Sequence, residues 1–580
     1  MGSPGSLLLR LTSHSGAEEA FPSSLPAGTG ELPLVFSPGQ TLAQAIYLSG
    51  IVRPPVLCSG LARCGRCRVK VLEQAGEGHA VLPAEEGFFS PEMLAEGWRL
   101  ACRHVPVEGM LIELPPEAEI VGLDKARTVS FSSPQTRILT KGTQERQRPE
   151  HMLAVDLGTT SLQWRHIAVE PDTEASSGTM RDASLIAEGG EVNPQMGAGS
   201  DVISRLAVVQ SPSGRETLHK LTIACLQRLI RQAAARADAD GTTEIALVCL
   251  AANPAMTALT LGVDTQGLAS SPYSLPVSGG TWEHPAGLPP IWIPPQLSPF
   301  VGGDISSGYA FLALNPSMSR PRYPFLLADL GTNGEFLLAL APDKAWSASV
   351  ALGPALEGTG LSQGTEARPG AITGFRFSPA GLVPVLLPQT EDSRPEKDAL
   401  PPGITGTGYI ALVHLLLTVG VLTRDGRFDT GPAGPFARFF QMDCDVASGE
   451  PRLNLPLGFQ LPASDVEELL KVKAAFSLGL RLLLDKAGLS TQELAQVYLA
   501  GALGEYVDKH ALENLGFFPR GMLSRISAVG NASLFGAELL LRSQTARDAL
   551  VNWAGRVHSL ELAADERFVH GFAEQMRFSW

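Results

Sequence analysis

Long apolar runs are missing from these 580 residues. The most apolar stretch, IALVHLLLTVGVL at 410–422, contains a histidine and falls short of the ~20 residues that span a bilayer. It therefore reads as a buried helix. Positive charge is scarce too. Lys and Arg total 45 against 59 Asp and Glu, a formal net charge of −14. That balance excludes nucleic acid or an anionic membrane as the main partner, because both require clustered cations. The opening MGSPGSLLLRLTSHSG has too short an apolar run, and no cleavage pattern, for a signal peptide, so a cytoplasmic protein is expected. Cysteine is sparse: seven residues, an odd number, in a compartment that disfavours structural disulfides. Cys225, Cys249 and Cys444 are scattered and read as ordinary buried thiols. A hydrophobic content of 44% supplies ample core, and the length suggests about three or four domains.

The other four cysteines carry a pattern. In VLCSGLARCGRCRVKV, Cys58 and Cys64 enclose five residues, and Cys64 and Cys67 enclose two. Cys102 follows in RLACRH after thirty-four more. Thiolates so spaced, with Gly60 and Gly65 bending the loop, can wrap a [2Fe–2S] cluster. Zinc is the rival, since four cysteines also make a tetrahedral site, although structural zinc usually takes two separate C-x₂₋₄-C knuckles. Arg63, Arg66, Arg68 and Arg103 surround the loop, as a solvated rim or as a docking surface. The stretch resembles the ferredoxin β-grasp fold in its five-residue-gap form, with Ser59 and Ala62 where glycines are frequent.

Two further stretches echo each other. LAVDLGTTSLQW delivers Asp156 from an apolar strand into a Gly-Thr-Thr turn, and LLADLGTNGEF does the same with Asp329, 173 residues later. Two such hairpins suggest two similar lobes facing across a cleft. Glycine lets backbone N–H groups approach a phosphate, Thr159, Thr160 and Thr332 add hydroxyls, and an aspartate can hold Mg²⁺ or orient a water. The pair resembles the first and second phosphate loops of the acetate and sugar kinase, heat-shock and actin superfamily. VYLAGALGEYVD, with Gly501 and Gly504, looks like that superfamily's adenosine loop.

The expected organisation is α/β and multidomain. A β-grasp ferredoxin-like domain (1–116) leads through a polar linker (117–150) to a two-lobe ribonuclease-H-like ATPase of the actin and sugar-kinase type (151–320 and 321–580). Helices are expected over 37–51, after Asp201, in ETLHKLTIACLQRLIRQAAARA, and from a Ser464–Glu467 capping box. A strand is expected near 129–131, loose chain over 171–190, and an irregular insertion over 268–303. The glycine-dense loop around Gly353, Glu357, Gly358 and Gly360 should lie near the cleft. Lys473 is a weak candidate for the nucleotide, and the thirty-residue tether would let the redox domain swing.

This combination, with NPQMGAGSDVISRL, PFVGGD, DLGTNGEF and GPALEGTGL, resembles the reductive activators of corrinoid proteins from about 32 to 541. Thr405 and AANPAM depart from the cysteine and the GNTAM-like stretch expected there. The resemblance implies ATP-assisted passage of an electron from a [2Fe–2S] cluster to the cobalt(II) corrinoid of a methyltransferase or corrinoid protein, restoring cobalt(I). On it, Cys58, Cys64, Cys67 and Cys102 bind the cluster, and Asp156 and Asp329 manage Mg²⁺ and the attacking water. Gly158, Thr159, Thr160, Gly331, Thr332 and Asn333 hold phosphate, with Gly501 at the adenosine. Expected partners are the corrinoid protein, an upstream ferredoxin or flavoprotein reductase, and optionally a second copy in a homodimer. Two other readings stay open: a small-molecule kinase with a redox-sensing domain, and a non-hydrolytic electron carrier.

Overall fold

The computed structural model describes residues 5–10, 31–73, 79–116, 118, 149–171, 180–237, 243–357, 360–378, 381–388, 400–429, 440–445 and 448–580. The expected strand at 129–131 lies outside the described residues.

The N-terminal unit is a five-stranded sheet in the order Glu31–Phe36, Gly5–Arg10, Leu111–Glu113, Arg68–Glu73, Trp98–Leu100. Alternation builds it: Leu7 and Leu9 point inward, as do Val69 and Val71 on the strand that leaves the cysteine loop. The helix expected over 37–51 is confined to Leu42–Tyr47. Thr41 and Gln44 close a reciprocal cap at its start, and Gly50 at φ +74° lies beyond its end.

Two six-stranded sheets of matching design follow. The first runs Thr281–Glu283, Ile291–Ile293, Ile245–Ala252, Glu150–Leu157, Ser161–Val169, Ala183–Val192. The second runs Ile526–Ala528, Gln496–Ala500, Phe325–Leu330, Asn333–Ala341, Lys344–Ala351, Val557–Leu560. Each has an antiparallel meander whose first strand pairs in parallel with a later one, Glu150–Leu157 with Ile245–Ala252 and Phe325–Leu330 with Gln496–Ala500. Parallel pairing demands a crossover, supplied by helices Pro212–Ala237 and Ala463–Ala487.

Several expectations are corrected. Part of the loose chain over 171–190 belongs to the edge strand Ala183–Val192, and the proline-rich 268–303 extends the opposite edge with two short strands. The Ser464–Glu467 capping box is absent. Strand Gln460–Pro462 runs straight into the helix, which starts at Ala463, so Ser464 lies inside the first turn and its N–H donates to Glu450. Cys225 and Cys249 are buried, and burial pushes both thiols up, but Cys444 is exposed at a strand end. Of residues 410–422, those up to Val419 lie in a largely buried helix, Gly406–Val419, which Thr405 caps through its hydroxyl and Gly420 ends in the left-handed conformation. No helix among the described residues is long and apolar enough to cross a membrane.

Helices Gly303–Tyr309 and Ala532–Arg542 join the two lobes. They cross so closely that a Cβ on Gly536 would lie 1.9 Å from the Ser307 carbonyl oxygen. Both begin at the cleft, delivering Asp304 on one side and Asn531 and Ser533 on the other.

The ferredoxin-like domain is docked. Met196, on the turn Pro194–Ala198 of the first lobe, is fully buried in its core. A Cβ on Gly197 would meet Tyr47 at 2.7 Å. The swinging tether expected from the linker is therefore not the arrangement seen, because apolar packing holds the domain against its neighbour.

Candidate nucleotide cleft and thiol site

Asp156 and Asp329 stand at the carboxyl ends of the central strands of their sheets, where open α/β sheets present ligands. The two turns meet. Thr160 Oγ1 lies 3.3 Å from Thr332 Oγ1. Asp156 accepts from Asn531 Nδ2 at 2.8 Å and from Ser533 Oγ at 2.9 Å. Burial pushes its carboxyl up, and these two donors pull it back. Asn531 also donates to Gln163 at 3.0 Å, so the GNAS turn of the second lobe grips the hairpin that carries Asp156.

A third carboxylate completes the cleft. Asp304 is raised from the ordinary 3.8 to about 7, first by burial and also by the negative charge of Asp156, against an opposing hydrogen bond from the Ile305 N–H. Asp304 ends the PFVGGD stretch, where no local signal marks the aspartate as a site residue. Glu335 stands opposite Asp329 in strand register and is buried.

The first turn is braced from beneath. Asn193 Nδ2 donates to the Gly158 carbonyl at 2.7 Å, and Asn253 Nδ2 donates to Thr159 Oγ1 at 3.2 Å. Asn253 belongs to the departing AANPAM stretch, where it also caps helix Pro254–Leu261. Arg205 is fully buried, and its guanidinium donates to the Thr159 carbonyl and, at 3.0 Å, to that of Gly199. On the other side Gly331 N–H bonds the Asn333 carbonyl, and Leu352 N–H bonds that of Thr332. Gly353 is thereby tied to the second hairpin. Gly358 lies outside the described residues. Gly501, at φ +80°, has no room for a side chain: a Cβ would meet Asp329 Oδ1 at 2.5 Å. Lys473 is elsewhere, buried, donating to the Gln575 and Ser579 carbonyls of the C-terminal turn.

The four N-terminal thiols share a cavity of about 380 Å³ that opens towards Met196 and Gly199 of the first lobe. They are arranged two and two. Cys64 donates to Cys58 and Cys67 to Cys102, which lowers the acceptors, Cys58 to about 5, and raises the donors. Among the described residues no three metal-ligating side chains gather round one ion position. Two pairs of thiols are what two irons, each with two protein sulfurs, require. Backbone N–H groups of Leu61, Arg63 and Cys64 point at Cys58, and that of Arg66 at Cys64, the donors a thiolate-bound cluster needs. Ser59 and Ala62 hold φ of 49° and 55°, which explains why glycine is frequent at both positions.

The loop arginines divide. Arg63 pairs with Glu468 at 3.0 Å and Arg66 with Glu366 at 2.8 Å, both in the second lobe. Arg103 instead bonds Gly60 of the loop itself.

A β-grasp thiol site seated on a two-lobed body with paired Asp-Leu-Gly-Thr hairpins defines a ferredoxin-linked protein of the ASKHA nucleotide-binding class. Family models agree: the RACo middle region matches 152–317, the C-terminal ASKHA domain of RACo matches 324–580, and the 2Fe-2S iron-sulfur cluster binding domain matches 29–107. The chain belongs to the RACo family of reductive activators of corrinoid proteins.

It is 28% identical over 459 residues to the corrinoid activation enzyme RamQ of Eubacterium limosum, covering 75% of this chain and 71% of that one. It is 28% identical over 295 residues to the [Co(II) methylated amine-specific corrinoid protein] reductase of Methanosarcina barkeri, covering 48% and 49%. A solved reductive activator for a corrinoid, iron-sulfur protein shares the fold across 99% of this chain and 98% of its own, with a TM-score of 0.61 at 23% identity. The matched domains support a [2Fe–2S] cluster and ATP binding.

Proposed function

We propose that the protein is an ATP-dependent reductive activator, passing one electron from a [2Fe–2S] cluster to the cobalt(II) corrinoid of a methyltransferase or corrinoid protein and restoring cobalt(I). The observation that carries the reading is the junction itself: two pairs of thiols in a ferredoxin fold, packed against a cleft built from two phosphate hairpins. The two relatives named for corrinoid activation and reduction support the same partner class.

The cluster, held by Cys58, Cys64, Cys67 and Cys102, supplies one-electron chemistry. In the cleft, Gly158, Thr159, Thr160, Gly331, Thr332 and Asn333 hold the phosphates. Asp156 and Asp329 place Mg²⁺ and the attacking water, with Gly501 keeping space beside Asp329 on the adenosine side. Asp304, half-ionised near neutrality, is the general base for hydrolysis, since a base works best with its pKa near the operating pH. A [2Fe–2S] centre can be too weak a reductant for cobalt(II), and each tenfold in a one-electron equilibrium is about 59 mV. Differential binding of ATP to two states of the complex can bridge that gap.

The upstream donor is a ferredoxin or flavoprotein reductase, the setting is cytoplasmic, and a homodimer is compatible with the reading. The test is anaerobic: reduced protein is mixed with cobalt(II) corrinoid proteins from the same organism, with and without MgATP, and the cobalt(I) absorption band is followed. ATP-dependent growth of the band supports the reading; no effect of ATP with any partner rejects it.

A further inference from the structure

The loop that carries three of the four cluster sulfurs is bonded to both lobes of the nucleotide cleft. On the first-lobe side the link is Ser59, the residue after Cys58. Its hydroxyl lies 2.7 Å from Ser200 Oγ and 3.1 Å from Asp201 Oδ2, and it accepts from Ser200 N–H at 2.8 Å. Asp201 caps helix Val202–Val208, and that helix carries Arg205, whose buried guanidinium ends on the Thr159 carbonyl. Cys58 and the first phosphate turn are thus joined through one cap and one arginine. Ser59 sits at positive φ, where glycine would be easier, so its hydroxyl is what the position offers.

On the second-lobe side the link is Arg66, between Cys64 and Cys67. It donates to the Gly364 carbonyl at 2.6 Å and to Glu366 at 2.8 Å. The segment around Gly364 is itself pinned, since Asp465 accepts from Ser362 N–H at 3.0 Å and from its hydroxyl at 2.7 Å. Ser59 and Arg66 therefore bridge the lobes at a second place, away from the Thr160–Thr332 contact.

We propose that the cluster loop is a clasp across the nucleotide cleft. Ser59 and Arg66 are positioning residues that make the cluster's reduction potential depend on the bound nucleotide and, reciprocally, nucleotide affinity depend on the cluster's redox state. A phosphate entering between Thr160 and Thr332 moves the turns apart, and the lobes cannot shift without working on Ser59 or Arg66. The N–H groups aimed at Cys58 and Cys64 belong to that same loop, and hydrogen bonds to cluster sulfurs set its potential. Linkage requires the two effects to be equal. The inference rests on the reading above, that the thiols hold a [2Fe–2S] cluster and the cleft binds MgATP.

The test uses the full chain, anaerobically. Dithionite supplies the one electron that the oxidised cluster takes up, and the midpoint is titrated with and without MgATP and MgADP. Nucleotide affinity is measured by calorimetry in both redox states. Wild type should show a nucleotide-dependent midpoint shift matching its affinity ratio, at about 59 mV per tenfold. Ser59→Gly, which suits the positive φ, and Arg66→Met, which removes the donors to both Gly364 and Glu366, should each lose most of the shift while keeping the electron paramagnetic resonance signal and nucleotide binding. An unmoved midpoint in wild type with both cluster and nucleotide bound overturns the clasp alone, as does a full shift in both variants. Absence of the signal or of nucleotide binding in wild type overturns the underlying reading as well.

Discussion

Thr160 and Thr332 lie 172 residues apart in sequence, yet their hydroxyl oxygens are 3.3 Å apart where the two Gly-Thr turns touch. A phosphate group inserted there gains a donor from each lobe, and a hydrogen bond to a charged group is worth ~1.5–3 kcal/mol. Thr332→Val keeps the shape of this buried side chain and removes its hydroxyl. MgATP affinity, measured by calorimetry, should fall at least about tenfold, with the circular dichroism spectrum unchanged. Unaltered affinity would place the phosphates elsewhere.

Asp304 predicts the pH profile. With its carboxyl raised to about 7, it carries a proton below that value, so hydrolysis that uses it as base declines as pH drops through about 7. Asp304→Asn should cost roughly 10²–10⁴ in ATPase rate and remove that limb of the profile. Stability moves the opposite way. The folded carboxyl keeps a proton that the unfolded chain has already lost, so this group's contribution falls as pH rises from 3.8 to about 7. The variant should flatten that slope in urea titrations.

Gly501→Ala tests the crowding at Asp329. The added methyl meets Oδ1 at 2.5 Å on a residue already at φ +80°, so the carboxylate must move. A displacement of this order should lower ATP turnover by roughly 10²-fold. Wild-type turnover in this variant would remove Asp329 from the reaction.

The paired thiols predict stoichiometry. Anaerobically purified protein should contain two irons and two acid-labile sulfides per chain, and Cys102→Ser should abolish the reduced-state signal. Chelation under reducing conditions should bleach the visible absorption without unfolding the ATPase lobes. One zinc per chain would contradict the [2Fe–2S] reading.

Ala62 offers a gain. At φ 55° it carries a left-handed penalty of ~1–2 kcal/mol that glycine escapes, partly offset by glycine's greater unfolded freedom. Ala62→Gly should retain the cluster longer in denaturant, by roughly 0.5–1 kcal/mol. Faster loss would mean that its methyl packing matters more than its backbone.

What could be read from the chain was whatever one short stretch holds complete. Strand, aspartate and glycine turn are contiguous at Asp156 and again at Asp329, and three of the four paired thiols fall within ten residues. The groups that complete the cleft come from far away. Asn531 meets Asp156 across 375 positions, and Arg66 meets Glu366 across 300. Asp304 acquires its character only from burial beside Asp156. Local signals also misled where a neighbour intervened: Ser464 and Glu467 have capping-box spacing, but the strand ending at Pro462 starts the helix too early for them. One faint signal was usable. NPQMGAGSD offers Asn193 and Asp201 as caps, and its small residues, Gly197 above all, permit the close approach to Tyr47.

The seating of Met196 has a practical corollary for anyone wishing to reuse the parts. The electron-carrying module borrows one of its interior side chains from the neighbouring lobe, so excising it leaves a hole in one fragment and a bare methionine on the other. Grafted onto a foreign ATPase, it should prove soft and lose its cofactor unless residues 194–199 travel with it.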